Sequence, residues 1–283
     1  MDDTSKGSLS VVLPVYSGDE STHLDSAIKS VIEQTRNPDE VVLVQDGPVN
    51  ESIEQVITNW CECQPEIINH HEIPKNQGLG NALRVGVEHC SSEFVARMDA
   101  DDISYSNRFE TQLLYLRRHP EVDIVGGYIQ EFSEKPEKVA AVRTVPLDHD
   151  DIRAYARHRN PMNHVTVMFR REAVLNAGNY HNAEDPMEDY WLWARMLRDG
   201  ATFANVADPL VKVRAGDELY KRRGGWKYAR KELCLQRDLY RWGISSLPRC
   251  LFNAASRAAL RLVPNSVRGD IYQRFARADP DRV

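Results

Sequence analysis

Three carboxylates crowd into four residues, Asp99, Asp101 and Asp102, shortly after the apolar run Phe94-Val95-Ala96. Like charges at a strand end repel, so such a cluster calls for compensation. A hard divalent cation, Mn2+ or Mg2+, prefers carboxylate oxygen and commonly holds phosphates as well. Asp99 and Asp101 stand two residues apart, which lets one bind an ion while the other meets a hydroxyl or a metal-bound water. The plainer alternative is a solvated acidic turn, with Asp102 or Ser104 capping the helix that follows. A second acidic pair, Glu188-Asp189, opens an amphipathic segment, where acidic residues also favour the helix macrodipole. Trp191 and Trp193 follow, residue types that line sugar sites or fill cores.

Other residues offer weaker chemistry. His164 opens the stretch "HVTVMFR" and is placed near an acceptor or a diphosphate, or is simply structural. The glycine-flanked basic run "KVRAGDELYKRRGG" suits a loop closing over a diphosphate through Arg214, Lys221 or Arg222. A solvated basic turn is its alternative. Cys61-x-Cys63, with His70 and His71 nearby, fits no common zinc spacing.

The elements that must position these groups are readable from periodicity. Residues 9–15, 40–47 and 93–99 read as buried strands, and 65–73 as a weaker one. Helical spacing runs through 22–35, 51–62 and 78–90. Alternation of this kind predicts a mixed, mostly parallel sheet with helices on both faces. Ligands in such sheets bind beyond the carboxyl ends of the strands, where Tyr16, Asp46 and Asp99 fall. Further on, the pattern gives a helix over 106–118, strands over 122–132 and 164–170, and a short helix closed by Gly178. A strong helix covers 187–200. Two short strands, "TFANV" and "LVKVR", precede a helix over 226–242.

In order and spacing, "LSVVLPVYSGDE", "EVVLVQDG", "NQGLGNALRVG", "FVARMDADDIS" and "MEDYWLWARML" resemble the inverting family 2 glycosyltransferases of GT-A (Rossmann-like) fold. "LYKRRGGWKYA" is similar to the amylovoran-biosynthesis branch. The resemblance covers roughly residues 8–240. It implies that Pro14, Val15 and Tyr16 contact the nucleobase, that Asp46 binds base or ribose, and that Asn76 and Gly78 lie against the nucleotide. It implies Asp99 and Ala100 near ribose and diphosphate, Asp101 as metal ligand, and Asp189 as catalytic base, with Glu188 the alternative. Trp191 is the aromatic candidate for the acceptor side. Three positions depart from the family pattern: Ser17 for Asn, Gln45 for Asp, and Ala82-Leu83-Arg84 for Ala-Arg-Asn. The last weakens the case for a uridine donor; Arg97, directly before the acidic cluster, is the candidate to replace the missing charge.

The implied reaction moves a sugar from a nucleotide-diphosphate sugar to a saccharide or lipid-linked saccharide, in surface polysaccharide or glycan assembly. A carboxylate base on the acceptor hydroxyl and a cation on the departing diphosphate would give one in-line displacement. A sugar-nucleotide nucleotidyltransferase is one rival, although "PVYSGDEST" lacks its glycine-rich loop. A non-catalytic sugar-nucleotide-binding partner subunit is another.

Bulk composition fits this reading. A 42% hydrophobic content over 283 residues supplies a substantial core, and 28% charged residues is ordinary for a globular chain. The first ten residues show no signal-peptide core, no run is long and apolar enough to span a bilayer, and five scattered cysteines look like reduced thiols. A cytoplasmic protein, peripheral at the inner face of the cell membrane, is expected. The net charge of −6 hides an asymmetry, because residues 226–283 hold twelve Lys and Arg against five Asp and Glu. Residues 1–225 are therefore expected to form the GT-A domain and 226–283 a basic helical tail. In "LPRCLFNAASRAALRLVP", Leu247, Leu251, Ala254, Ala255, Ala258 and Leu262 share a side away from Arg249, Arg257 and Arg261. Such C-terminal amphipathic helices can lie on an anionic membrane surface, or pack on the catalytic body. Nucleic acid is not expected as a partner, since the rest of the chain is acidic.

Overall fold

The computed structural model describes residues 7–133, 135–181, 187–214 and 226–262, without the side chains of 226–228 and 258–262. The first hundred residues form β1 (Leu9–Val15), α1 (Ser21–Ile32), β2 (Glu40–Asp46), α2 (Glu51–Cys63), β3 (Ile68–Ile73), α3 (Leu79–His89) and β4 (Phe94–Arg97). Strands β3, β2, β1 and β4 are neighbours and all parallel. Every residue of β1 is buried. Val11, Leu13 and Val15 pack towards α1 and α2, and Val12 joins Val42 and Val44 against α3. A strand covered on both faces has no need of polar alternation, which is why "LSVVLPV" reads as continuous apolar sequence. Helix α2 is started by Asn50, whose side chain accepts the Ile53 N–H at 3.0 Å, a cap that contributes about 1 kcal/mol.

The second half extends the sheet with mixed pairing. It comprises β5 (Ile103–Ser104), α4 (Arg108–Arg118), β6 (Ile124–Phe132), β7 (Val139–Arg143), α5 (His149–Tyr155), a 3-10 turn (His164–Thr166), β8 (Met168–Arg170), α6 (Arg171–Asn176), α7 (Glu188–Arg198) and β9 (Phe203–Arg214). Among the described residues the sheet has nine strands in the order β3-β2-β1-β4-β8-β6-β9-β5, with β7 on β6. β8 runs antiparallel to both β4 and β6, while β9 is parallel to β6.

Two expectations need correction. "TFANV" and "LVKVR" are one strand, because β9 continues through Asp208-Pro209 by bulging opposite Gly127 and Tyr128. The strand expected over 164–170 begins as a 3-10 turn. Polar side chains there hold the backbone out of the ladder: Asn163 Nδ2 donates to the Gly127 carbonyl at 2.9 Å, and the Thr166 hydroxyl to the Asn163 carbonyl at 2.7 Å.

Helices α8 (Trp226–Arg241) and α9 (Leu247–Leu262) close the described chain. They dock on α7, where Leu235, Leu239, Ile244 and Cys250 cluster with Met187, Tyr190, Trp191 and Ala194. Helix α9 packs through its more polar side. Asn253 Nδ2 donates to the Arg157 carbonyl and to Gln236, and Arg257 pairs with buried Glu232. Leu247, Leu251 and Phe252 are left 47%, 62% and 72% exposed. No helix among the described residues is long and apolar enough to cross a membrane.

The seat of α3 on the sheet depends on Gly86, where a Cβ would lie 2.1 Å from Val12 Cγ2. Gly86→Val is expected to lower stability by about 1–3 kcal/mol through overpacking, measured by urea unfolding.

Candidate active site

Strand β4 delivers the acidic cluster. After Arg97 the chain leaves the sheet, and carboxylate oxygens of Asp99, Asp101 and Asp102 come within 4.8 Å of one another. Asp102 is 3% exposed, and its Oδ1 accepts the Arg214 backbone N–H at 2.9 Å. It does not cap the following helix, which starts at Arg108 behind Asn107. Arg97, 4% exposed, forms an ion pair with Asp99. Beneath it, fully buried Arg108 donates from Nη2 to the Arg97 carbonyl at 2.8 Å and from Nε to Gln112 at 3.1 Å. Gln112 in turn bonds the Val125 and Thr166 carbonyls.

The electrostatics follow from burial. Desolvation, then the neighbouring charges of Asp99 and Asp101, push the Asp102 carboxyl well above its ordinary pKa. Desolvation also raises Asp99, against the opposing pull of Arg97. Burial, then the Arg97 charge, lowers Arg108 to about 9. Burial opposes the charge on Arg97 itself, but Asp99, Tyr180, Asp102 and Glu188 outweigh it and raise its pKa. Three hard oxygen donors gathered this closely, with Asp99 and Asp102 raised in pKa, fit a divalent cation.

A second cluster lies at the N-terminus of α7. His164, Glu188 and Asp189 offer atoms within 4.8 Å of one another. Asp189 Oδ1 accepts the Tyr190 N–H at 2.7 Å, and Oδ2 accepts from Asn160 Nδ2. His164 Nδ1 stands 3.7 Å from Asp189 Oδ2, and Nε2 lies 2.9 Å from the Tyr180 hydroxyl. Burial, then Arg97, hold the His164 pKa well below its usual value. Glu188 is buried against the start of α3, where a Cβ on Gly80 would lie 3.3 Å from the Glu188 Cβ and 2.8 Å from the His181 carbonyl. The glycine loop and the acidic pair are thus fitted to each other.

The remaining expected residues are distributed as follows. Pro14 and Val15 are buried within β1, leaving half-buried Tyr16 at the rim. Both oxygens of Asp46 are engaged by the loop: Oδ1 accepts the Gln77 N–H at 2.8 Å and Oδ2 the Gly78 N–H at 2.7 Å. Asn76 Nδ2 donates to the Asp46 carbonyl at 3.2 Å. Asp46 therefore shapes the loop that carries Asn76 and Gly78. Ala100 is buried at the turn between Asp99 and Asp101. Arg214 carries its guanidinium over the Phe132 ring and its Nε 3.4 Å from the Asp101 carbonyl. Lys221 and Arg222 lie outside the described residues.

Trp191 is not at the site. It is buried against α8, with Nε1 donating to Asp238 at 3.2 Å. Trp193, four residues after Asp189 and so on the same helical face, is the tryptophan whose ring meets His164, edge-on at 5.8 Å. Cys61, Cys63, His70 and His71 do not converge on a shared ion among the described residues. His71 packs on His89 and His70 meets Gln45. Asn160, Tyr180 and Arg108 are site residues that sequence reasoning missed. Only Arg108, a basic residue opening a helix where acidic ones are usual, leaves a local signal.

Comparison with known proteins agrees with this geometry. Residues 10–177 match the model of glycosyl transferase family 2. The chain is 39% identical to the amylovoran biosynthesis glycosyltransferase AmsE of Erwinia amylovora, over 94% of this chain and 98% of that protein. It is 36% identical to an Escherichia coli UDP-Gal:alpha-D-GlcNAc-diphosphoundecaprenol beta-1,3-galactosyltransferase, over 98% of each. Among solved structures, S. aureus TarS superposes with a TM-score of 0.63 at 13% identity, covering 95% of this chain and 44% of TarS. The mannosyltransferase PcManGT of Pyrobaculum calidifontis, in complex with GDP-Man and Mn2+, also gives 0.63, at 16% identity, covering 99% and 84%. These likenesses establish the GT-A fold. The chain belongs to glycosyl transferase family 2, enzymes that transfer a sugar from a nucleotide-sugar donor in glycan assembly.

Proposed function

We propose a metal-dependent, inverting transferase in which Asp101, with Asp99, holds Mn2+ or Mg2+ at the donor diphosphate and Asp189 is the base for the acceptor hydroxyl. The observation that carries this reading is two carboxylate clusters sharing one buried cation. Asp99 and Asp102 from the first, and Glu188 from the second, all act on Arg97. When bound, the divalent ion supplies a Lewis acid that offsets charge on the departing diphosphate. The chain's own residues do the rest. Asp46 fixes the loop that lies against the nucleotide, with Tyr16 at the neighbouring strand end. Arg97 holds Asp99 in place. Asp189 takes the hydroxyl proton as the acceptor oxygen attacks the anomeric carbon and the nucleoside diphosphate leaves from the opposite face. A single displacement inverts the anomeric centre, so an α-linked donor gives a β product.

The PcManGT complex with Mn2+ supports the choice of ion. Likeness to the diphosphoundecaprenol-dependent galactosyltransferase supports an acceptor saccharide carried on a lipid diphosphate. That acceptor sits at a membrane, and the outward apolar side of α9 suits one. Leu247, Leu251 and Phe252 are exposed, with exposed Arg237 and Arg241 on the neighbouring helix and its end. We assign residues 1–225 to catalysis and 226–283 to attachment at the anionic inner face of the membrane.

Calorimetry with UDP-, GDP- and dTDP-sugars is expected to show binding of one nucleotide class that requires Mn2+ and is lost in Asp101→Ala. Mn2+ should also raise the melting temperature of the wild type. The raised pKa values of Asp99 and Asp102 mean that protons compete for these oxygens, so the increment should shrink as pH falls. Asp189→Asn should lower kcat by about 10²–10⁴-fold with donor binding little changed; a kcat within about 10-fold of wild type would remove the base assignment. The double variant Leu251→Glu, Phe252→Glu should lose co-sedimentation with phosphatidylglycerol vesicles. Undiminished sedimentation would place attachment elsewhere.

A further inference from the structure

The carboxylate of Asp189 is held from outside its own helix. Its Oδ2 accepts from Asn160 Nδ2, and the same amide's Oδ1 accepts the Met162 N–H at 3.2 Å, which fixes the amide orientation. The second neighbour of Oδ2 is His164 Nδ1, at 3.7 Å. That separation is too long for a hydrogen bond and too short for an intervening water. It is the kind of catalytic contact that tightens when substrate arrives.

His164 is confined on its other side. Nε2 lies 2.9 Å from the Tyr180 hydroxyl, and the ring is walled by Tyr180 and Trp193. Arg97, Glu188 and Asp189 are the charged groups around it. Burial and the Arg97 charge keep the imidazole neutral, so it carries one proton on one of two nitrogens. Burial likewise keeps the Tyr180 hydroxyl protonated and able to donate. With the proton on Nε2, a lone pair on Nδ1 would face an ionised carboxylate. With the proton on Nδ1, Tyr180 donates to Nε2 and the Nδ1–H points at Asp189. Asp189 favours the second arrangement, in which Nε2 serves as acceptor for the Tyr180 hydroxyl.

The same three residues could be read as a second metal cluster. The buried Arg97 guanidinium already supplies positive charge there, and the imidazole is occupied at Nε2.

We propose that His164 is a positioning residue for the base: Tyr180 locks its imidazole in the Nδ1–H tautomer, and that N–H, with the Asn160 amide, aims Asp189 at the acceptor hydroxyl. The inference rests on Asp189 being the base. A loosened base is costly, since a misplacement of about 1 Å can cost about 10²-fold in rate.

Two measurements test it. Long-range 1H–15N correlation spectra of histidine-labelled protein report the tautomer, with the His164 signals identified by their loss in His164→Asn. The Nδ1–H form is expected in the wild type, with a shift towards Nε2–H in Tyr180→Phe. A wild-type imidazole protonated on Nε2 overturns the proposal. Turnover is then followed with UDP-galactose, Mn2+ and a GlcNAc-diphosphoryl-lipid, on variants with wild-type melting and donor binding. His164→Ala should lose about 10–100-fold in kcat with the donor KM within about 3-fold. His164→Asn places an amide N–H where Nδ1 was and should recover to within about 5-fold, whereas His164→Gln should not. Equal impairment of the Asn and Ala variants means that the residue acts by packing, and the proposal fails. An inactive Asp189→Asn beside a fully active His164→Ala leaves the base standing and removes only the positioning role. An active Asp189→Asn removes the base assignment, and the proposal falls with it.

Discussion

The site is organised by the burial of Arg97. A guanidinium out of water is tolerable only with charge and hydrogen-bond partners around it, and removing one partner of a buried pair costs about 3–5 kcal/mol. Here Asp99 pairs with it directly, while Asp102 and Glu188 reinforce its charge from the same turn and from α7. Its backbone carbonyl is tied down by Arg108, and Arg108 by Gln112, which reaches β6 and the 3-10 turn. The acidic turn after β4 and the acidic start of α7 are thus fastened to one frame. Neither cluster can shift without disturbing a charge that has no water to fall back on.

That frame explains why the two halves of the chain differ in regularity. Strands β1, β2 and β4 are set by apolar burial on both faces and need little else, while β3 at the sheet edge is buried only at its ends. From Asp99 onward, polar side chains decide the path. Asn163 and Thr166 turn the backbone out of strand geometry before β8, and the bulge at Gly127 and Tyr128 lets β9 run past β6 to bring Arg214 onto Asp102. Irregular backbone here places functional groups that a regular ladder would miss.

Legibility in the sequence follows the same division. The acidic cluster, Tyr16 and Asp46 could be read because each follows directly on an apolar strand, a local signal. Glu188-Asp189 became informative only through its resemblance to a family motif. Asn160 and Tyr180 were invisible because their partners, Asp189 and His164, lie 29 and 16 residues away. No periodicity encodes a meeting of that kind. The choice of Trp191 over Trp193 failed for a simpler reason: which side of α7 faces the site depends on where α8 docks, which sequence spacing does not state. For Asp46 the sequence pointed to a nucleotide contact but not to the loop that its oxygens hold, since the Gln77 and Gly78 N–H groups lie more than thirty residues on.

Helix α9 turns its polar seam inward, and this gives the C-terminal helices a claim on the catalytic centre. Asn253 bonds the Arg157 carbonyl, three residues before Asn160, and the Tyr190 hydroxyl bonds the Ala156 carbonyl from the helix that carries Asp189. The segment that holds the Asp189 carboxylate is therefore clamped from both sides. A shortened chain designed to shed these helices as a dispensable appendage would uncover Trp191 and Tyr190 to solvent and unfasten that segment. The packing contacts of these helices with the rest of the chain extend through Arg257, which pairs with Glu232.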